Sequence, residues 1–390
     1  MPTISTGRRT WYAALDSRVK YTDVSKKISL LMPDAFPFTS FIAGMKDGRG
    51  GALKKKETNN VRFDILTQDP EPSTDAINNG AGYAADATSV VVDNGTYFWI
   101  GCYVHVPRTG EVFRVTNVST NTLTIVRGIG NSGIGETMVD DEPLIILGAP
   151  QGDGADLPTK RRVAETESYG YTQIFSDPFG LTRRDQNTSL RGGSDLAFER
   201  ERVGIEHRLK IERAFLFSKL DAWDDAAGNK VTSTKGLRSY ISSINVNVNG
   251  SLTEMALENV LDDAFLYGSD TKLMFAGATV INAINGFARD KMQTVPKVKS
   301  YGVNLQEYIS AHGVLWICRH KLMTGTFYSG SAFIVDPNDC WYRFLSNCDT
   351  RLYKDVSPQT PHAYDEEYYT DAGLEIRHES KHAFMYGVTG

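Results

Sequence analysis

The sequence predicts an α+β fold carrying a small barrel-like β-module, and three observations predict it. Residues 88 to 148 hold short apolar or alternating runs separated by Gly, Asn, Asp and Ser, the pattern of small paired strands. Residues 194 to 220 read as one long, heavily charged helix. Residues 250 to 355 alternate helix-like and strand-like segments at the spacing of a compact α/β unit. The chain has 390 residues, enough for two or three cores. Its 41% hydrophobic and 23% charged content is that of an ordinary folded protein and argues against disorder.

Taken in order, residues 1 to 44 are expected to form an N-terminal arm. Pro33 and Pro37 bracket Phe36, and Phe38 and Phe41 follow in what reads as an extended context. Such a segment buries little of itself and must dock on its own body or on a neighbour. Residues 45 to 192 read as an outward-reaching excursion, with Gly48, Gly50 and Gly51, the cluster Lys54, Lys55 and Lys56, and a strand-like Val61 to Leu66. The β-module of residues 88 to 148 lies inside it. Glu111 to Val118 and Thr122 to Arg127 predict a hairpin across Ser119, Thr120 and Asn121. Phe113 and Val115 alternate with Arg114 and Thr116, so one face is buried and the other wet. Tyr169 to Phe175 is a further strand.

The long helix is expected over Ser194 to Leu220, capped by Ser194 or Asp195. Phe198, Ile205, Leu209 and Leu216 make its apolar stripe, and Glu206 pairs with Lys210 on the other side. At about 1.5 Å per residue it spans roughly 40 Å. Ser251 to Glu254 reads as a capping box before Leu257, Leu261, Ala264 and Phe265, with Gly268 ending the helix. Strands are expected at Lys272 to Ala276, Val314 to Cys318, Ala332 to Asp336 and Trp341 to Leu345, and a helix at Thr279 to Asp290. Gly373 to Val388 alternates as one closing strand, with Leu374, Ile376, Phe384, Tyr386 and Val388 against Glu375, Arg377, Glu379 and Lys381.

Several classes are disfavoured. No apolar run approaches the roughly 20 residues of a membrane span, and Met1 to Arg9 lacks the apolar core of a signal peptide, so synthesis in a cytoplasm is expected. Cys102, Cys318, Cys340 and Cys348 form no Cys-x-x-Cys pair and are expected reduced. Residues 1 to 62 carry 12 Lys and Arg against 5 Asp and Glu, a local balance of +7, so the remainder carries −12 of the overall −5. A basic arm on an acidic body favours another acidic body, such as a second copy, as its partner.

Three motifs suggest chemistry. His378, Glu379 and His382 match the zinc-hydrolase pattern H-E-x-x-H, which needs a helix to bring both imidazoles to one metal. The surrounding residues have period two, and on a strand the two histidines stand roughly 13 Å apart; the structural reading is therefore preferred. Gly128, Gly130 and Gly133 have dinucleotide-loop spacing, but Gly135 and Pro143 leave no helix to follow it, so a glycine-rich loop is expected. The triplets Asp140 to Glu142 and Asp365 to Glu367 are expected to be solvated loop residues rather than a cation site. No catalytic, cofactor or metal residue is assigned. Trp11, Tyr12, Tyr353, Tyr364, Tyr368 and Tyr369 fit an interface or a core equally.

The order of these parts resembles the major capsid proteins of tailed bacteriophages with the Hong Kong 97-type fold, in the subfamily with a β-module inserted in the extended loop. The Thr-Gly-Glu-Val-x-Arg-Val hairpin of that subfamily is Thr109 to Val115, its Leu-Thr-Ile-x-Arg-Gly strand is Leu123 to Gly128, and its Thr-Gln-Ile-Phe segment ends at Phe175. The resemblance implies an N-arm over 1–44, an extended loop over 45–192 with its insertion at 88–148, spine helix and peripheral domain over 193–249, an axial domain over 250–355 and a last peripheral strand over 356–390. It implies a structural protein that self-assembles, as hexamers and pentamers, into an icosahedral head shell around double-stranded DNA. No cofactor, enzymatic activity or membrane is implied. Implied partners are a separate scaffolding protein, a portal, possible decoration proteins and non-specifically held DNA, with assembly in the host cytoplasm and no propeptide removal. Trp11, Tyr12, Phe36, Phe38, Phe41, Lys54, Lys55 and Lys56 are the candidate inter-subunit contacts. The rival readings are a tail or portal component, a zinc hydrolase on His378, Glu379 and His382, and a secreted carbohydrate-binding module.

Overall fold

In the computed structural model, residues 37–44, 55–130, 135–154, 160–182, 184, 195–288, 298–300, 303–356 and 363–389 are described. The chain divides into two units, Leu66–Thr166 and the remainder, Met1–Ile65 with Glu167–Gly390.

In the smaller unit, six strands run in the order Thr74–Ala76, Pro143–Gly148, Tyr103–Val106, Glu111–Ser119, Thr122–Val126 and Ser89–Val91. The two outer strands meet. Ile77 bridges Val92, the Asn78 N–H donates to the Val91 carbonyl at 3.0 Å, and the Asp93 N–H donates to the Ala76 carbonyl at 3.1 Å. The sheet thus closes into a barrel without a free edge. Alternation along each strand fills it: Val104, Val106, Phe113, Val115, Leu123, Ile125 and Leu144 face inward. The hairpin expected at Ser119 to Asn121 is there, with Thr120 in the left-handed region at φ 52°. Gly95 lies under that turn, where a Cβ would stand 1.9 Å from the Thr120 carbonyl oxygen, so only glycine fits. The barrel is wider than the expected 88–148 segment because closure takes in Thr74–Ala76. Three residues are too short to show a period.

The larger unit is built on two sheets. One orders Lys55–Thr58, Cys340–Leu345, Ala363–Ile376 and Gln173–Thr182, with Arg351–Lys354 also paired to Ala363–Ile376. The other orders Asn245–Gly250, Ala383–Val388, Ala332–Val335, Thr271–Ala276, Val314–Arg319, Val303–Ile309 and Val298–Ser300. Thr271–Ala276 is central, parallel to Val314–Arg319 and antiparallel to Ala332–Val335. Leu273 and Phe275 point into one core and Met274 and Ala276 into another. Because both faces are covered, Leu273 to Ala276 read as a continuous apolar run. The helices Glu254–Phe265 and Ala278–Ala288 supply Leu257, Leu261, Val280 and Ile284 to the second core. The long helix Asp195–Phe217 and the short helix Pro37–Gly44 supply Ile211, Phe215, Leu216, Phe38, Phe41 and Ile42 to the first.

Four local expectations are corrected. The long helix stops at Phe217, where Gly236 packs against its end and its N–H donates to the Ser218 carbonyl at 2.9 Å. Glu206 pairs with Arg202 at 2.8 Å instead of Lys210, which pairs with Asp177. The helix at 254 is capped by Thr253, whose hydroxyl accepts from the Ala256 N–H at 3.2 Å, not by Ser251. Gly373 to Val388 is two strands in different sheets rather than one strand: Ala363–Ile376 ends, His378 turns at φ 49°, Glu379–Lys381 forms a single 3-10 turn, and Ala383–Val388 runs on in the second sheet. Thr370 to Ile376 is buried at every residue. Glu375 therefore sits inside the protein and needs partners there.

Candidate functional site

The larger unit buries an unusual number of charges, and most of them line the long helix and the strand Ala363–Ile376. Apolar spacing predicted a stripe of Phe198, Ile205, Leu209 and Leu216. The structure adds His207 and Glu212, both fully buried. His207 Nδ1 lies 2.7 Å from Asp177 Oδ2, and its Nε2 lies 2.7 Å from Thr370 Oγ1. Lys210 also pairs with Asp177. Burial pushes the His207 imidazole below its ordinary range, and Asp177 only partly offsets it. The ring thus bridges helix and sheet.

Glu212 ties the short helix to the long one. Its two oxygens accept from the Phe38 and Thr39 N–H groups at 2.8 Å each, two of the donors a helix start leaves unpaired. His320 Nε2 donates to the same carboxylate at 2.7 Å, while His320 Nδ1 accepts from the Leu322 N–H at 3.2 Å. The second bond fixes the tautomer that serves the first.

Further along, Arg200 holds the buried Glu366, and Arg343 and Arg377 both hold the buried Glu375. In the barrel, Arg108 donates to Glu142 at 2.7 Å and Arg127 to Glu111 at 2.8 Å. Burial works to raise the Glu111 carboxyl, but the Arg127 hydrogen bond holds it below the ordinary carboxylate range. Glu142 and Glu366 were expected in solvated triplets; both are instead buried and ion-paired.

The H-E-x-x-H residues occupy the turn between the strands Ala363–Ile376 and Ala383–Val388. Glu379 accepts from the N–H and hydroxyl groups of Ser242 and Ser243 at 2.5 to 3.1 Å. His382 is fully buried, accepts from the Asp336 N–H at 3.1 Å and reaches the Arg377 carbonyl at 3.3 Å. Burial, with Lys272 nearby, pushes it down to about 4. Backbone and hydroxyl groups thus occupy the atoms a metal would need. Among the described residues no three His, Cys, Asp or Glu side chains are grouped to hold a metal ion, and no helix is long and apolar enough to cross a membrane. The four cysteines are free.

Of the sequence-predicted contact residues, Trp11, Tyr12, Phe36 and Lys54 lie outside the described residues. Phe38 and Phe41 are 1% and 4% exposed inside the chain's own core, edge-on to Phe275 at 5.4 and 6.4 Å. In this conformation they are not contacts offered to a neighbour, because Pro37–Gly44 is a docked helix rather than an extended arm. Lys55 pairs with Asp349 at 2.7 Å and lies over the Tyr342 ring; Lys56 is exposed. The described large apolar side chains left exposed include Ile100, Leu147, Ile174, Trp223, Met255, Leu266 and Ile309.

Most of the buried charges named here are thus paired within the chain, and comparison with known proteins places the chain in a family. The family model of the SU10 major capsid protein matches residues 5–389. A major capsid protein of Pseudomonas phage PaMx41 is 26% identical over 269 residues, 65% of this chain and 64% of that protein, so the chain matches somewhat less than two thirds of that relative's length. Two solved structures, the capsids of native and of empty GTA particles, each align over 98% of this chain and 100% of theirs with a TM-score of 0.53 at 9% identity. That likeness is one of fold, and the fold is the Hong Kong 97-type, α+β.

Proposed function

The chain belongs to the SU10 major capsid protein family, and on that premise we propose that it is the building block of a tailed phage's icosahedral head shell, enclosing double-stranded DNA. The observation that carries the reading is the family match over residues 5–389. The burial pattern supports it. A chain that pairs Glu212, Glu366, Glu375 and Asp177 within itself becomes a stiff tile, and stiff tiles assemble with little loss of conformational entropy.

In this reading residues 1–44 are the arm, 45–192 the extended loop, 193–249 and 356–390 the spine helix and peripheral domain, and 250–355 the axial domain. The barrel is the insertion, reaching the shell exterior or reinforcing contacts between neighbours. Partners are other copies of the chain, a separate scaffold, a portal and DNA held without sequence preference at the inner surface. The role is structural, and the protein resides in the virion after assembly in the host cytoplasm.

Lys54, Lys55 and Lys56 are proposed to meet an acidic face of the next copy. Reversing all three to Glu is expected to abolish particles in sedimentation while leaving the subunit's circular dichroism unchanged. Normal particles from that variant would remove the contact. Lys55 is also paired with Asp349 in its own chain, so Lys56→Glu alone, at an exposed position, separates assembly from folding.

A further inference from the structure

Nearly every buried carboxylate described above has a cation or several donors: Glu212 has three donors, Glu375 two arginines, and Glu366, Glu111 and Glu142 one arginine each. Asp371 is different. It is 3% exposed, and its Oδ1 has no hydrogen-bond partner. The side chain beside it is Thr172, fully buried, whose Oγ1 is the other buried polar side-chain atom left without a partner among the described residues.

The place of this pair in the fold is specific. Thr172 lies at the bend between the strand Thr166–Tyr171, which pairs with Arg62–Thr67, and the sheet strand Gln173–Thr182. Asp371 lies where Ala363–Ile376 changes neighbours, from Gln173–Thr182, paired as far as Ala372, to Cys340–Leu345, paired from Ala372 on. Gly373 packs so closely on this bend that a Cβ would stand 2.6 Å from the Tyr171 carbonyl oxygen. The two segments are therefore closely packed at this point.

Among the described residues no cation is paired with Asp371; Arg351 and Lys354, on the strand paired beside Tyr369 to Glu366, are exposed. On its own strand Tyr369 is neutral. Cys348 contributes its carbonyl, which accepts the Asp371 N–H at 2.9 Å. From Cys340–Leu345, Tyr342 is neutral, and Arg343, opposite Gly373, is committed to Glu375. Asp349 is a further acid and is paired with Lys55 at 2.7 Å. Gln173–Thr182 contributes the uncharged Gln173 and Ile174 here. His207 and Lys210 are committed to Asp177, with His207 also on Thr370. One hydroxyl does not replace the two or three donors a buried carboxylate requires.

We propose that Thr172 and Asp371 form a proton-operated joint at the base of this strand pair. With a proton from solvent on Asp371, its O–H donates to Thr172 Oγ1 and the buried pair is satisfied. When the proton leaves, a buried anion faces a single hydroxyl, and the bend loosens to admit water. Burial raises the Asp371 carboxyl above the ordinary carboxylate range. The sign follows: the stabilisation is present at low pH and lost as pH rises through the raised value. Each unit of elevation corresponds to about a tenfold change in the closed-to-open ratio.

The test uses the full-length chain and the variants Asp371→Asn and Thr172→Val. Hydrogen exchange at 169–175 and 369–374, corrected for intrinsic rates, is followed upward from the ordinary carboxylate range to pH 9. The wild type is expected to lose protection at these segments as pH rises. Asp371→Asn should be at least as protected at pH 8 and should lose the pH dependence. Thr172→Val should lower protection at low pH. A second readout does not depend on the variants' stability. The infrared carbonyl band of a protonated carboxylic acid should be present in the wild type at low pH, absent from Asp371→Asn, and should fade over the range where exchange rises. An Asp371→Asn protein that keeps the wild-type pH profile, or a carboxylate already ionised throughout that range, would overturn the proposal.

Discussion

Replacing Glu212 with alanine should detach the short helix Pro37–Gly44 from the body, and the size of the effect can be worked from its contacts. The carboxylate accepts three hydrogen bonds, from the Phe38 N–H, the Thr39 N–H and His320 Nε2, all at 2.7 to 2.8 Å and all with Glu212 and His320 fully buried. Removing one partner leaves a buried donor unsatisfied at about 1–3 kcal/mol each. Losses within one network do not add fully, and part is recovered as water enters, so about 3–5 kcal/mol is expected. The side-chain volume lost acts in the same direction. Glu212→Gln keeps the shape, and its oxygen can serve the two donors that now share Oε1, the Phe38 N–H and His320 Nε2, but its NH2 then opposes the Thr39 N–H, so it should lose about 1–3 kcal/mol. Urea unfolding of the subunit measures both. Hydrogen exchange tells a local release from a global one: amides of residues 38–44 should lose protection before those of Thr271–Ala276. A loss under about 1 kcal/mol for Glu212→Ala, or equal exposure of both segments, would refute the reasoning.

Three other outcomes are expected. His382 is held down to about 4 by burial and by Lys272, against about 6.5 unfolded. It therefore contributes up to about 3 kcal/mol above pH 6.5 that is lost as pH falls toward 4, and His382→Gln should flatten the acid limb of a stability–pH curve. Residues 66–166 should fold alone, because the barrel closes its own edges around its own core; a collapsed, poorly dispersed amide spectrum would contradict this. Gly95→Ala should destabilise that barrel by about 1–3 kcal/mol in thermal unfolding, since its Cβ would meet the Thr120 carbonyl oxygen at 1.9 Å; an unchanged midpoint would show that the turn gives way freely.

What could be read from the chain was what is local. The barrel hairpin at Thr120 and Asn121 announced itself through alternation and turn residues, and the helix at 254–265 through its apolar spacing. The buried polar seam did not. His207 meets Asp177 at a separation of 30 residues and His320 meets Glu212 at 108, so nothing within a helical window marks either as internal. The strand Thr74–Ala76 was missed because closing a barrel needs an edge rather than a period. The two closing strands were taken for one because Glu375, Arg377, Glu379 and Lys381 alternate with apolar residues. There the charges alternate because Glu375 is clasped by two arginines and Glu379 caps Ser242 and Ser243. The H-E-x-x-H pattern was weighed on a strand and lies on a turn. Phe38 and Phe41 were placed at an interface because an arm of unknown path leaves aromatic residues unassigned; a docking helix with a carboxylate at its start assigns them.

The central claim, that copies of this chain close into a head shell, is tested most directly by electron microscopy of the protein expressed with and without its neighbouring phage genes. Closed icosahedral shells built of hexamers and pentamers, with the long helix and the barrel fitted in each subunit's density, are the predicted result. Monodisperse monomers in every preparation would contradict it.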